Sequence, residues 1–103
     1  MQEALKEFRL SLAINPNEAM VHANIGFILG EMHHLPEAVE EYNKALQLNP
    51  TDAHAHNDLG VAMLQMGEYE KAAEQFNDSI TIDPSYADAK RNLEYAQFKM
   101  KNK

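Results

Sequence analysis

The fold is decided by residues 19–52, AMVHANIGFILGEMHHLPEAVEEYNKALQLNPTD, because residues 53–86, AHAHNDLGVAMLQMGEYEKAAEQFNDSITIDPSY, repeat their pattern. Pro50 and Pro84 stand at the same place in the two stretches, and Pro16 precedes Pro50 by the same 34 residues. The stretches are identical at Ala19/Ala53, His22/His56, Gly26/Gly60, Met32/Met66, Ala38/Ala72, Glu40/Glu74, Asn43/Asn77 and Pro50/Pro84. An internal period of this length predicts a repeat architecture.

Each stretch contains two runs of apolar residues at helical spacing, with a break between the runs. Pro36 falls where a second run begins, and proline suits the first turn of a helix because its missing N–H would have no partner there. Asn49 and Asp83 precede prolines, which push them out of the α region and end the second runs. We therefore predict helices over about residues 2–15, 18–31, 36–48, 52–65, 70–82 and 86–101. The candidate N-caps are Asn17, Thr51 and Ser85.

The pattern closely resembles the tetratricopeptide repeat, which has small residues facing an aromatic one and a proline at the end of each unit. The residues that carry the resemblance are Gly26, Ala38, Tyr42 and Pro50 in one stretch and Gly60, Ala72, Phe76 and Pro84 in the next. The resemblance implies an all-α, right-handed superhelix of helix-turn-helix hairpins with about six helices. It also divides a single array into residues 1–18 (half of a truncated repeat), 19–52, 53–86 and 87–103 (a capping helix).

The two ends of the chain carry different patterns. Lys90, Glu94, Gln97 and Lys101 form a polar stripe on the last predicted helix, as expected of a helix that caps an array. Ala4, Phe8 and Ser11 would contact a preceding helix in a longer array. We therefore expect the chain to be cut from a longer array and to be able to self-associate through its open N-terminal end.

Charge and composition narrow the class of partner. The net charge is -7, with 4 basic and 14 acidic residues in 1–86 and 5 basic and 2 acidic residues in 87–103. The acidic body would repel a phosphate backbone, which excludes nucleic acid as the expected partner. The sequence has no apolar run long enough to insert into a membrane and no cysteine, and both features favour the cytoplasm.

The sequence contains no constellation that predicts catalysis. Its five histidines include no pair at the i, i+4 spacing of a helical zinc site, and His54 and His56 should point to different faces. No phosphate-binding glycine loop and no nucleophile elbow are present. We therefore predict a protein that is not an enzyme and that has no metal site and no cofactor.

In the family that the chain resembles, the first helix of each hairpin lines a concave groove that binds ligands. The family's contact positions correspond here to Met20, Asn24, Phe27, Glu31, His54, Asn57, Asp58, Val61, Gln65, Asp88, Arg91, Asn92, Tyr95 and Lys99. One of these positions recurs as Asn24, Asp58 and Asn92, and this row resembles the asparagine ladder of O-linked glycosyltransferase repeats. Such side chains donate to and accept from an extended peptide backbone.

These features predict a scaffold that binds a protein partner, as a peptide or a helix, in the concave groove. The expected ligand has an apolar anchor and an acidic group near Arg91 or Lys99. Its basic groups are expected to lie over the site residues within 20–31 and 54–65. Two other functions stay open at this point. The chain could be the segment of a larger enzyme that recruits its substrate or partner, or a self-assembling module.

Overall fold

A computed structural model of the protein describes residues 19–102, and within them every regular element is a helix. The helices are α1 (Ala19–Glu31), α2 (Leu35–Leu48), α3 (Ala53–Gln65), α4 (Tyr69–Ile82) and α5 (Ala87–Lys101). The prediction of an all-α chain of helical hairpins is confirmed. The helix predicted over residues 2–15, the candidate cap Asn17 and the open N-terminal end with Ala4, Phe8 and Ser11 lie outside the described residues. No helix within residues 19–102 combines the length and the apolar character that crossing a bilayer requires.

The chain divides into two compact units, with the boundary between Pro50 and Thr51. In the first unit α1 packs along α2. In the second unit α3 packs along α4, and α5 packs mainly on α4 with a smaller contact to α3. Among the described residues, each unit therefore contains one complete hairpin, and the second unit also contains α5.

Prolines set the helix ends as predicted, but the N-caps differ from the prediction. Asp52, not Thr51, caps α3, and its side chain accepts a hydrogen bond from the backbone N–H of Ala55 at 3.1 Å. Ser85 does not cap α5, because its hydroxyl and its backbone N–H both bond the carboxylate of Asp83. Tyr86 occupies the N-cap position instead, without a capping bond from its side chain.

The turn inside each hairpin needs one residue with positive φ. In the first hairpin this residue is His33, with φ of 61°, and in the second it is Gly67, with φ of 78°. The two positions are equivalent in the 34-residue repeat. Glycine adopts this conformation without steric cost, whereas a residue with a Cβ does not.

In the first unit a buried aromatic ring lies against a glycine. A Cβ placed on Gly26 would lie 3.1 Å from Cε1 of Tyr42, so α1 and α2 approach closely there. Around this contact Ile25, Leu29 and Ala38 are buried and complete the apolar core of the hairpin. The expectation from the repeat pattern that a small residue faces an aromatic one is confirmed in this unit.

The second unit has the equivalent contact and extends its core to α5. Gly60 faces the ring of Phe76, which is fully buried. Ala72 and Ala73 from α4 and Ala96 from α5 join Phe76 in one apolar cluster. Small residues on both helices therefore let α5 pack against α4.

Candidate functional site

A chain of side-chain hydrogen bonds joins α3 to α5 and to the residue that precedes α5. Asn92 Nδ2 donates to Asn57 Oδ1 at 3.0 Å, and Asn57 Nδ2 donates to the hydroxyl oxygen of Tyr86 at 3.5 Å. The same hydroxyl lies 2.9 Å from Nδ1 of His54, and the two rings are 4.7 Å apart between centroids. Four polar side chains thus form one connected row in the second unit.

The bonded pairs also fix the direction of α5 relative to α3. His54 and Tyr86 form the first pair and Asn57 and Asn92 the second, so the two helices run in the same direction. Residues three or four positions further along a helix lie on the same face. By this register Val61 and Gln65 on α3, and Tyr95 and Lys99 on α5, continue the face that begins with the polar row.

The polar row lies among carboxylates. Burial raises the pKa of the Asp58 carboxyl, and the nearby charge of Asp52 raises it further, while His54 and a hydrogen bond from Asn57 act in the opposite direction. Burial likewise raises the pKa of the Tyr86 hydroxyl, and the charges of Asp58 and Asp88 add to this effect. Burial disfavours the ionised form of the Asp58 carboxyl, and a cation beside it would stabilise that form by direct charge attraction.

The two basic residues among the predicted site residues already have partners. Arg91 forms an exposed ion pair with Asp88, one turn earlier on α5. The ammonium of Lys99 lies over the rings of Tyr69 and Tyr95, at 5.9 and 5.8 Å from their centroids. An exposed ion pair and a cation–π contact of a partly exposed lysine are both weak, so a ligand could compete for both cations.

In the first unit the predicted site residues form an exposed stripe on α1. Met20, Asn24, Phe27 and Glu31 recur at helical spacing, and all four are exposed, Met20 at 74% and Phe27 at 54%. The opposite face of α1 is buried against α2 through Ile25. This helix therefore has one face in the core and one face open.

The structure changes the expected role of one site residue and adds another. Asn57 is only 5% exposed, so its amide serves the contacts within the unit and not a ligand directly. Tyr86 was not predicted as a site residue, although it contacts both Asn57 and His54. At the 34-residue spacing Tyr86 corresponds to Asp52 and Glu18, so the repeat pattern contained no signal for it.

The histidines take part in hydrogen bonds within each unit. Nδ1 of His22 lies 3.0 Å from Oε1 of Glu41, and Nδ1 of His56 lies 2.8 Å from Oε1 of Gln75. His54 points instead to Tyr86, so His54 and His56 face different elements, as predicted. Within residues 19–102 no three histidine, aspartate or glutamate side chains are grouped closely enough to hold a metal ion.

Comparison with known proteins agrees with the repeat pattern. Residues 34–67 match the family model described as TPR repeat, and residues 53–86 match the one described as tetratricopeptide repeat. Together the two matches cover residues 34–86, about half of the chain. None of the curated proteins matches the sequence.

Among solved structures, the chain is similar to the one titled "Crystal structure of MamA protein", with a TM-score of 0.92 and 22% sequence identity. The similarity covers 96% of this chain and 54% of that one, so the chain spans about half the length of that structure. Similarity at this identity shows the fold alone, and 170 solved chains match, so the fold by itself names no partner. The chain belongs to the tetratricopeptide repeat family, whose members serve in general as protein-interaction scaffolds and not as catalysts.

Proposed function

We propose that residues 1–103 form one array that binds a peptide or a helix of a partner protein along the open face of its first helices. In each unit this surface, called here the first-helix face, consists of the predicted site residues of that unit other than buried Asn57, and in the second unit it also includes Phe98. One observation carries the proposal. Residues 19–102 contain seven exposed large apolar side chains, and four of them lie on the first-helix face. These four are Met20, Phe27, Tyr95 and Phe98.

Exposed apolar side chains on one face favour a ligand with an apolar anchor, because burying them removes apolar surface from water. The carboxyl of Asp58, which lacks a compensating lysine or arginine among its charged neighbours, favours a basic group of the ligand beside α3. Arg91 and Lys99 favour an acidic group further along α5, in exchange for their present weak contacts. Asn24 and Asn92 would hydrogen-bond the backbone of an extended ligand.

The net charge of the chain supports a protein partner over nucleic acid, since a body with an excess of carboxylates attracts basic peptides and repels phosphates. A chain without cysteine suits a reducing compartment, and we propose the cytoplasm as its location.

A selection experiment tests the proposal. Twelve-residue random peptides displayed on phage would be selected on the complete 103-residue chain, and the affinity of the best peptide would be measured for variants of the chain. Phe27→Ala and Tyr95→Ala should each weaken binding about tenfold or more, as truncation of a buried apolar anchor does.

Leu48→Ala and Ile82→Ala are the matched controls, because both residues are exposed apolar side chains on second helices. These two variants should bind the peptide as the wild type does. Loss of binding in the controls, with Phe27→Ala and Tyr95→Ala unaffected, would place the site on the second helices and refute the proposal.

A further inference from the structure

We propose that Gly30 determines the specificity of the first-helix face in the first unit, because its missing side chain leaves a gap beside Phe27 that receives a bulky apolar side chain of the bound peptide. A basic residue of the same peptide lies next to this side chain, at Glu31. These contacts rest on the proposed function, and they can be absent while Phe27 and Tyr95 still carry binding.

Gly30 is a glycine that the fold itself does not require. Two of the other three glycines make room for a buried aromatic ring, and the third adopts a positive φ in a turn. Gly30 has no positive φ, and a Cβ placed on it would meet nothing within 4 Å. Inside a helix glycine is destabilising relative to alanine. Gly30 therefore weakens α1 without making room for any neighbour in the chain.

The end of α1 and the repeat pattern do not require this glycine either. A glycine that terminates a helix has a positive φ just beyond the last turn, and in α1 the residue with positive φ is His33. The positions equivalent to Gly30 in the 34-residue repeat are Leu64 and Phe98. Leu64 packs against the apolar cluster of the second unit, and Phe98 is 59% exposed on α5. The repeat thus accepts a large apolar side chain at this position, and α1 lacks one.

The gap lies beside an exposed aromatic ring. A side chain on a helix covers the surface over the preceding turn, so a side chain at position 30 would cover the surface beside Phe27, three residues earlier. With glycine at position 30 this surface stays open, and Phe27 is 54% exposed. A bulky apolar side chain of a ligand can enter the gap and contact the ring. Its burial there removes apolar surface of both partners from water.

The end of α1 beside the gap is negatively charged. Glu31 follows Gly30, is exposed and is the last residue of α1. The last turn of α1 contains no basic residue. The carboxylate of Glu31 and the negative pole of the helix therefore attract a cation together. A lysine or arginine beside the apolar residue of the peptide suits this charge.

The affinity and the stability of two glycine variants test the gap. The probe is the twelve-residue peptide selected on the complete chain. Gly30→Leu should weaken binding about tenfold or more, because leucine overpacks a space that the peptide fills. Gly30→Ala should weaken binding less and should raise the melting temperature, because alanine favours the helix. A merely structural role for Gly30 predicts that affinity follows stability, so a Gly30→Leu protein that binds as tightly as the wild type would overturn the proposal.

Asn43→Leu is the matched control, because it adds the same side chain to an exposed position of α2, and it should bind as the wild type does. If Phe27→Ala weakens binding and Gly30→Leu does not, the proposed function stands and the gap is not used. If neither Phe27→Ala nor Tyr95→Ala weakens binding, the proposed function fails and the gap falls with it.

An alanine scan of the peptide identifies the side chain in the gap. One bulky apolar residue, when replaced by alanine, should weaken binding to the wild type about tenfold. The same replacement should weaken binding to Gly30→Leu less than about twofold, because leucine already excludes that side chain from the gap. An equal loss in both proteins, or the absence of such a residue, would overturn the proposal.

The charge of Glu31 is tested with the same peptide. Glu31→Gln should weaken binding about 1.5- to 5-fold, as the loss of an exposed ion pair does, and should make binding less sensitive to salt. Glu74→Gln is the matched control, because it removes an exposed carboxylate from α4. Equal affinities of the two variants would overturn the placement of the basic residue at Glu31.

Discussion

The two hairpins share one sequence pattern but differ in how much space separates the glycine of the first helix from the aromatic ring of the second. A Cβ on Gly60 would lie 2.5 Å from the ring of Phe76, whereas a Cβ on Gly26 would lie 3.1 Å from the ring of Tyr42. Phe76 is fully buried, so its ring has nowhere to move. The same sequence pattern thus produces a closer and less adaptable contact in the second unit than in the first.

The hairpins also differ in the polar pair that joins their helices. His22 bonds Glu41 in the first hairpin, and His56 bonds Gln75 at the equivalent place in the second. Glu41 is buried and has Lys44 as a further partner, whereas Gln75 is only half-buried. The repeat therefore keeps the position of this contact while the chemistry of the acceptor changes.

The largest difference is expected on replacing the glycines. Gly60→Ala should lower the free energy of unfolding by about 2 kcal/mol, because overpacking against Phe76 outweighs the helix propensity that alanine adds. Gly26→Ala should stay within about 1 kcal/mol of the wild type, since Tyr42 has to shift by only a few tenths of an ångström.

Urea unfolding followed by far-ultraviolet circular dichroism measures both variants. Gly30→Ala is the control, because a Cβ there meets nothing within 4 Å, and it should stabilise the protein by up to about 1 kcal/mol. A Gly60→Ala protein as stable as Gly26→Ala would contradict the difference between the hairpins.

The polar pairs provide the next comparison. His22→Ala should lower the free energy of unfolding by about 1 to 2 kcal/mol, because it removes the partner of Oε1 of the buried Glu41 carboxyl and leaves that carboxyl with Lys44. His56→Ala should cost about 1 kcal/mol or less, since the amide of Gln75 can reach water. Thermal unfolding of both variants checks this, and the reverse order of stabilities would show that Glu41 does not depend on His22.

Two asparagines of the first-helix face should differ in their effect on stability. Asn24 is exposed on α1, and Asn24→Ala should change the free energy of unfolding by less than about 0.5 kcal/mol. Asn92→Ala should cost about 1 kcal/mol, because it removes the bond to buried Asn57. Urea unfolding of the two variants side by side measures the difference, and equal stabilities would mean that the bond between Asn92 and Asn57 contributes nothing.

The turns of the two hairpins should respond in opposite directions. His33→Gly should stabilise the first hairpin by about 0.5 kcal/mol, because glycine adopts a positive φ without steric strain. The larger loss of backbone entropy when glycine folds offsets part of this gain. Gly67→Ala, at the equivalent place, should destabilise the second hairpin by about 1 kcal/mol. The measurement is the shift in melting temperature, and a lower melting temperature for His33→Gly would show that the His33 side chain makes compensating contacts.

The helices could be predicted from the sequence because their signals are local. Prolines and apolar spacing placed every described helix end within one residue, as for α2, which was predicted to begin at residue 36 and begins at Leu35. The packing of glycine on an aromatic ring follows from the repeat pattern and is present in both hairpins.

The polar row could not be predicted, because its contacts join residues far apart in sequence through the geometry of individual side chains. Asn92 bonds Asn57 across 35 residues, one more than the repeat, and Tyr86 has no equivalent in the other repeats. The candidate caps failed for a related reason. Asp52, the neighbour of the candidate Thr51, bonds the first turn of α3, and Ser85 bonds the carboxylate of Asp83 instead of the first turn of α5.

The location of the binding site is tested most directly by a map of the residues that contact a selected peptide. Backbone amide signals of the ¹⁵N-labelled chain would be followed during titration with the peptide. Binding to the first-helix face predicts that the largest shifts fall on α1, α3 and α5, around Phe27, Val61 and Tyr95. Shifts concentrated on α2 and α4, around Leu48 and Ile82, would contradict it.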